Sequence, residues 1–296
     1  MRLSVSIGVF LVFGTMAAAI AEQDLKSNAA ATDNLPAVDV ELVIATDVSY
    51  SMDTKALAAQ REAYAEAIVS QAFLEAVAAG PNKKIAVTYF EWSAFRDQRL
   101  LVPWRVIDGL ESASAVAAEI AKTPIRRGTQ TSISAAINFA IPLFDTNPYR
   151  GLRRLIDITG DGPNTVGGPV AGARDAALAK GIAINGLAIM AKQQPNVMDI
   201  ADLDLYYEDC VIGGPGAFVV ANKVEDELKE AVRTKLIREI RGPAQDQKIV
   251  PATEKQTRVS CLIGEQMWQE RWGRPFEQSP KCPDPTKVCG TIPPRG

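Results

Sequence analysis

The chain of 296 residues contains no histidine. Ser-His-Asp and Cys-His catalytic groups are therefore excluded, as is any zinc site that needs imidazole. A metal bound here has to use oxygen or sulfur. Cysteine is scarce as well: Cys210, Cys261, Cys282 and Cys289 are the only four. None precedes Cys210, which excludes a lipid-modified cysteine near the start. Beyond the first 21 residues no run is apolar for long enough to cross a bilayer. Neither sign of charge dominates. Without residues 1–21 the chain carries 31 basic and 35 acidic residues, a net charge of −4, which gives no general basis for binding nucleic acid or anionic membranes.

What is present begins with an export signal. Arg2 forms a short positive region, Leu3 to Met16 are free of charge, and Ala19-Ile20-Ala21 supplies an A-x-A cleavage pattern before Glu22. The alternative is an uncleaved anchor, since the run nearly spans a bilayer. With cleavage after Ala21 the mature protein is periplasmic or secreted, with no stable membrane insertion. Residues 22–35 read as a flexible leader, 36–242 as one α/β domain, and 243–296 as a Cys/Pro-rich extension. An even number of cysteines in an exported chain points to disulfides rather than to a thiolate metal site. Four cysteines allow three pairings. Cys210 with Cys261, and Cys282 with Cys289, is one of them.

The domain alternates apolar, β-branched runs with helical periodicity. Strands are expected at Val38–Thr46, Ile85–Trp92, Gln98–Val102 with Pro103-Trp104, Leu152–Thr159, Ile182–Ile189 and Ala217–Val220. Helices are expected from Asp53 to about Ala79, and over Ser112–Lys122, Thr131–Phe144, Pro169–Lys180, Val224–Ile240 and Leu262–Trp272. Only Ser93–Asp97 separates the second and third strands, so these two form an antiparallel pair. The order predicts a doubly wound, mostly parallel central sheet with one antiparallel edge strand and helices on both faces. Ligand sites of such sheets lie beyond the C-terminal strand ends.

Three oxygen-rich segments fall there. The first strand ends in Asp47-Val48-Ser49-Tyr50-Ser51; Arg127-Gly128-Thr129-Gln130-Thr131 leads into a helix; the Leu152 strand ends in Thr159-Gly160-Asp161-Gly162. Two carboxylates balance a divalent charge, while neutral hydroxyls leave the cation electrophilic. Magnesium or manganese suits such a set, and calcium, which takes more ligands at longer distances, suits it less.

Asp47, Ser49, Ser51, Thr129 and Asp161 resemble, in order and strand context, the metal-ion-dependent adhesion site of von Willebrand factor A domains. The likeness runs over roughly residues 38–241. Tyr89–Trp92, Val102–Trp104, Gly160–Asn164 and Ile212–Phe218 are similar to a bacterial, exported branch of that superfamily. The resemblance implies a Rossmann-type fold and a cation on the upper edge of the sheet. It also implies binding of a protein partner through an acidic side chain, with no catalysis. Ser49, Ser51 and Thr129 would then offer hydroxyls, and Asp47 and Asp161 would bind directly or through water. Val48 and Tyr50 stand where many relatives have glycine, and Gly160 where threonine is common.

Simpler readings exist for each motif. D-x-S-x-S alone arises by chance in roughly one chain in ten of this length. Asp47, Ser51, Thr129 or Thr131 would serve equally as helix caps. Gly213-Gly214-Pro215-Gly216 lacks the lysine of a phosphate loop and reads as a turn. Glu91 and Trp92 fit strand packing and edge exposure, and Trp268 with Trp272 a packing stripe. A metal-free envelope scaffold is one rival function. A hydrolase is the other, but Ser49 stands where a phosphatase of the haloacid-dehalogenase type needs its second aspartate, and no G-x-S-x-G is present.

Overall fold

The computed structural model describes residues 35–192, 196–242 and 258–273. The expected signal and leader, and the Cys282–Cys289 pair, lie outside the described residues. Strand β1 (Ala37–Asp47) is buried at every position after its first. Val40, Leu42 and Ile44 pack into one core layer, and Val43 and Ala45 into the other. A strand apolar on both faces belongs in the middle of a covered sheet.

Here β1 pairs in parallel with β2 (Ile85–Trp92) on one side and β4 (Arg150–Gly160) on the other. Beyond β2 lies the antiparallel edge strand β3 (Gln98–Ile107), and beyond β4 the parallel β5 (Ile182–Ile189) and β6 (Val219–Asn222). The order β3-β2-β1-β4-β5-β6 reverses direction between β1 and β4. The helices are α1 (Thr54–Val69), α2 (Gln71–Ala78), α3 (Leu110–Lys122), α4 (Ile133–Asp145), α5 (Val170–Ala179), α6 (Leu203–Tyr206), α7 (Leu228–Arg241) and α8 (Ile263–Trp272). Helices α1, α2, α3 and α7 cover one face, and α4, α5 and α6 the other. This is the doubly wound, mostly parallel sheet with one antiparallel edge strand and helices on both faces that the sequence predicted.

Several elements differ from their sequence reading. The helix expected from Asp53 to Ala79 is two helices, because Ser70 is extended and its hydroxyl accepts from the amide of Phe73 to start α2. Strand β3 runs on past Pro103-Trp104 to Ile107, its proline tolerated at an edge position because the missing amide can face outward. Helix α6 and the π-turn Tyr207–Val211 that extends it had no periodic signal. Glu91 and Trp92 are not edge-exposed: both are buried, and Glu91 accepts from Arg61 Nε at 3.1 Å.

One charged group sits inside this core. Lys235 of α7 donates to Glu239 Oε1 at 2.6 Å and pairs with Asp157 Oδ1 of β4 at 2.5 Å, all three side chains being fully buried. Tyr64 donates to Asp157, and Asn185 Nδ2 to Glu239 Oε1. Burial, helped by the charge of Asp157, pushes the Glu239 carboxyl up to about 7 against the pull of Lys235.

Part of the extension docks on the domain. Cys210 and Cys261 form a disulfide with Cα atoms 5.4 Å apart. In the chain-entropy account, closing a loop of 51 residues contributes about 4 kcal/mol. Arg258 pairs with Asp209, and Asn164 Nδ2 donates to Glu265 Oε1 at 2.7 Å. Gly264 meets the Asn164 carbonyl so closely that a Cβ would collide with it. Trp268 and Trp272 stack on each other with centroids 4.2 Å apart.

Candidate functional site

The reversal between β1 and β4 leaves a crevice above their C-terminal ends, where open α/β sheets bind ligands. Asp47 is the last residue of β1, and Asp161 directly follows β4. After Asp47 the chain turns sharply. The Ser49 amide donates to Asp47 Oδ1 at 2.7 Å, an Asx-type turn that folds Ser49 and Ser51 back over the strand end. Gln60 of α1 donates to the Asp47 carbonyl at 2.9 Å and fixes the turn from below.

The hydroxyls then bridge the two loops. Ser49 Oγ and Ser51 Oγ lie 2.9 Å apart, and Ser51 Oγ donates to Asp161 Oδ1 at 2.6 Å, across 110 residues of sequence. Neither helix cap uses these groups. Asp53 caps α1 by accepting from the Ala56 amide at 2.7 Å, and Ser132 caps α4. The capping explanation of Asp47, Ser51, Thr129 and Thr131 is thereby removed. Thr129 is exposed on its loop, and none of the bonds joining the other four residues reaches it. Its loop is nevertheless tied to the same place. The Gly128 amide donates to the Val48 carbonyl at 2.5 Å, and Arg127 donates to the Tyr50 carbonyl.

Two departures from the family pattern acquire a physical reason. Tyr50 is 61% exposed, with the Arg127 guanidinium 3.8 Å from its ring centroid, so the ring pairs with Arg127 instead of packing into the core. At Gly160 a Cβ would come within 2.7 Å of Tyr207 Oη and 3.1 Å of Asp47 Oδ2. A threonine there is sterically incompatible with Tyr207.

The carboxylates are held under electrostatic stress. Burial, reinforced by the charge of Asp161, pushes Asp47 well above the usual carboxylate range. Burial also raises Asp161, although Lys192 and the Ser51 hydroxyl oppose it. Asp47 Oδ2 is buried and has no hydrogen-bond partner among the described residues. A buried carboxylate oxygen without a donor is costly, and a cation is one way to satisfy it. Among the described residues no three His, Cys, Asp or Glu side chains cluster closely enough to bind a metal, so a site here depends on its hydroxyls. Two carboxylates, neutral hydroxyls and an orphaned buried oxygen fit a small hard cation.

Lys192 escaped the sequence reading. Its ammonium stands 3.0 Å from Asp161 Oδ2 and also pairs with Asp199. Burial works against its charge, but Asp161 and Asp199 outweigh that and raise its pKa above the ordinary lysine value. A cation placed just past β5 was the available signal, since functional groups gather beyond strand ends. Beside these groups opens a cleft of 380 Å³, with Ser51, Asp161 and Lys192 among its polar lining and Met52, Ile189 and Leu228 among its apolar lining.

Among solved structures, the chain is similar to proximal thread matrix protein 1 from the mussel byssus: 14% identity, TM-score 0.49, covering 68% of this chain and 48% of that one. Another structure of the mussel protein is described as having a zinc-occupied MIDAS motif. A von Willebrand factor type A protein from Catenulispora acidiphila shows 17% identity and TM-score 0.47, over 69% and 43% of the two chains. The von Willebrand factor domain of the type V pili tip protein Mfa5 from Porphyromonas gingivalis shows 10% identity and TM-score 0.48, over 71% and 99%. The chain thus spans about half the length of the first two proteins. No curated protein matches the sequence. No described helix is long and apolar enough to cross a membrane. Residues 37–244 match the model of the family described as "Protein of unknown function (DUF1194)", and the chain belongs to that family.

Proposed function

We propose that this chain is an exported protein-binding module, not an enzyme, that holds one divalent cation and through it an acidic side chain of a protein partner. Asp47, Ser49, Ser51, Thr129 and Asp161 would hold the cation, and magnesium or manganese suits them better than calcium. Bound there, the cation would supply a Lewis-acidic position for a hard anionic oxygen. The observation that carries the reading is the bonded series Asp47–Ser49–Ser51–Asp161, which joins two strand ends beside an orphaned carboxylate oxygen. The chain's own residues do the rest: Gln60 fixes the turn, and the open cleft admits the partner.

The test compares melting temperature and partner capture from envelope extract, for wild type and Asp47→Ala, with magnesium and with chelator. A ligand of the folded state stabilises by about 2.7 kcal/mol at a hundredfold excess over Kd. Wild type should melt higher and capture its partner only with the cation, and Asp47→Ala should lose both responses. Equal behaviour in all four conditions rules the reading out. Lys192 favours a second reading, a metal-free scaffold in which the ammonium alone balances Asp161. That reading expects no cation effect on melting.

A further inference from the structure

Asp161 has its two oxygens committed in opposite directions. Oδ1 accepts from Ser51, on the side of the candidate ligands, and Oδ2 faces the Lys192 ammonium at 3.0 Å. The lysine side chain is only 14% exposed and that of Asp161 2%, so water screens the pair weakly. On its far side Lys192 also pairs with Asp199, which is 24% exposed and further held by the Asn196 amide at 2.6 Å. The ammonium therefore has two carboxylates to choose between, one at the candidate site and one outside it.

We infer that Lys192 is a tethered cation that competes with a divalent ion for Asp161, and that Asp199 is the post on which it is held when it yields. This rests on the metal-binding reading above and adds a control to it. Two positive charges drawing on one buried carboxylate repel each other, and the low local dielectric strengthens the repulsion. An ion can then take Asp161 fully only if Lys192 shifts its weight to Asp199. The lysine sets a threshold: the site fills at cation concentrations well above those an unopposed pair of aspartates would need. Lys192 also lines the 380 Å³ cleft, so its release would alter the surface offered to a partner.

A purely orienting lysine, holding Asp161 in place for the cation, has the opposite consequence for affinity. The two roles are separated by titrating manganese into the wild-type protein, Lys192→Met and Lys192→Gln, with binding measured calorimetrically and melting temperature recorded at each manganese level. Competition requires that both variants bind manganese at least tenfold more tightly. Without manganese they should melt lower than wild type, because buried Asp161 and half-buried Asp199 have lost their counter-charge. With saturating manganese they should gain more than wild type does. Lys192→Gln keeps a hydrogen-bonding group and guards against a folding failure of the methionine variant. Unchanged or weaker manganese binding by folded variants overturns the inference and leaves the metal site standing. Absence of binding in wild type and variants alike overturns the metal site itself, and the inference with it. Binding by the variants alone is competition in its strongest form.

Discussion

Two clusters in this molecule each contain one lysine between two carboxylates, and they differ in where they sit. Lys235, Asp157 and Glu239 lie within the core between β4 and α7, all fully buried, with Tyr64 and Asn185 supplying further hydrogen bonds. Lys192, Asp161 and Asp199 lie beside a cleft, Asp161 buried but Lys192 and Asp199 partly exposed, next to a buried Asp47 oxygen that nothing described satisfies. The charge inventory of the two lysine groups is the same. The inner group is sealed from solvent, with Glu239 Oε2 also lacking a hydrogen-bond partner among the described residues, so its charges serve the fold. The outer group is left incomplete where a ligand can reach it. Strand β4 carries Asp157 of the inner group and leads directly into Asp161 of the outer one, so the two carboxylates stand four positions apart in the chain.

The largest expected effect comes from breaking the inner cluster. Lys235→Met removes the cluster's cation and strands Asp157 and Glu239 without a counter-charge. Breaking a buried ion pair in this way costs about 3–5 kcal/mol. Denaturant unfolding should show a loss of that size, whereas Lys192→Met should cost distinctly less because Asp199 borders solvent and Asp161 keeps the hydrogen bond from Ser51. Equal losses would erase the distinction drawn between the two groups.

A middling effect is expected from acidity. Glu239 has a folded pKa of about 7, above its ordinary value of 4.5. Between those values the folded chain holds a proton that the unfolded chain has released, so this group favours folding increasingly as pH falls from about 7 towards 4.5. Above pH 7 its unfavourable contribution is fully present. Glu239→Gln should remove that dependence, changing the slope of stability by at most ~1.4 kcal/mol per pH unit. Glu265, raised to about 6 by burial, titrates in the lower part of the same window, and the variant isolates Glu239 from it. An unaltered slope in Glu239→Gln would show that the inner cluster does not titrate there.

The smallest expected effect is at Thr129, exposed and outside the bonded series. Thr129→Ala should weaken manganese binding a few-fold, since water can replace a neutral hydroxyl, while Asp47→Ala abolishes it. A complete loss in Thr129→Ala would move Thr129 to the centre of the site.

These contrasts bear on what a sequence can display. The Asp47–Ser51 turn was legible because its residues are adjacent and follow an apolar strand that ends at Asp47. The paired loops were legible because alternating strands and helices bring strand ends to one edge. Lys192 was not, since its partner Asp161 follows a neighbouring strand and only the pairing of β4 with β5 brings the two strand ends together. The inner cluster was not legible either, since Asp157 lies in β4 and Lys235 and Glu239 follow only in α7. The break at Ser70 was hidden because an alanine-rich helical pattern continues across it. The Cys210–Cys261 pairing stood as one of three possibilities until the docking of the tail placed the two residues side by side.

That bond has a topological consequence. Cys210 precedes β6 and α7, and Cys261 follows them, so both elements lie inside a covalently closed ring. A protease cut between Gly242 and Arg258 would open the ring without releasing anything. The product would be a two-chain molecule, migrating as one species without reductant and as two with it. Residues 258–273 would remain fastened beside Asn164, and so beside the loop that carries Asp161. Nicking would change how many chains the protein has, while leaving the sheet edge around Asp161 covalently braced.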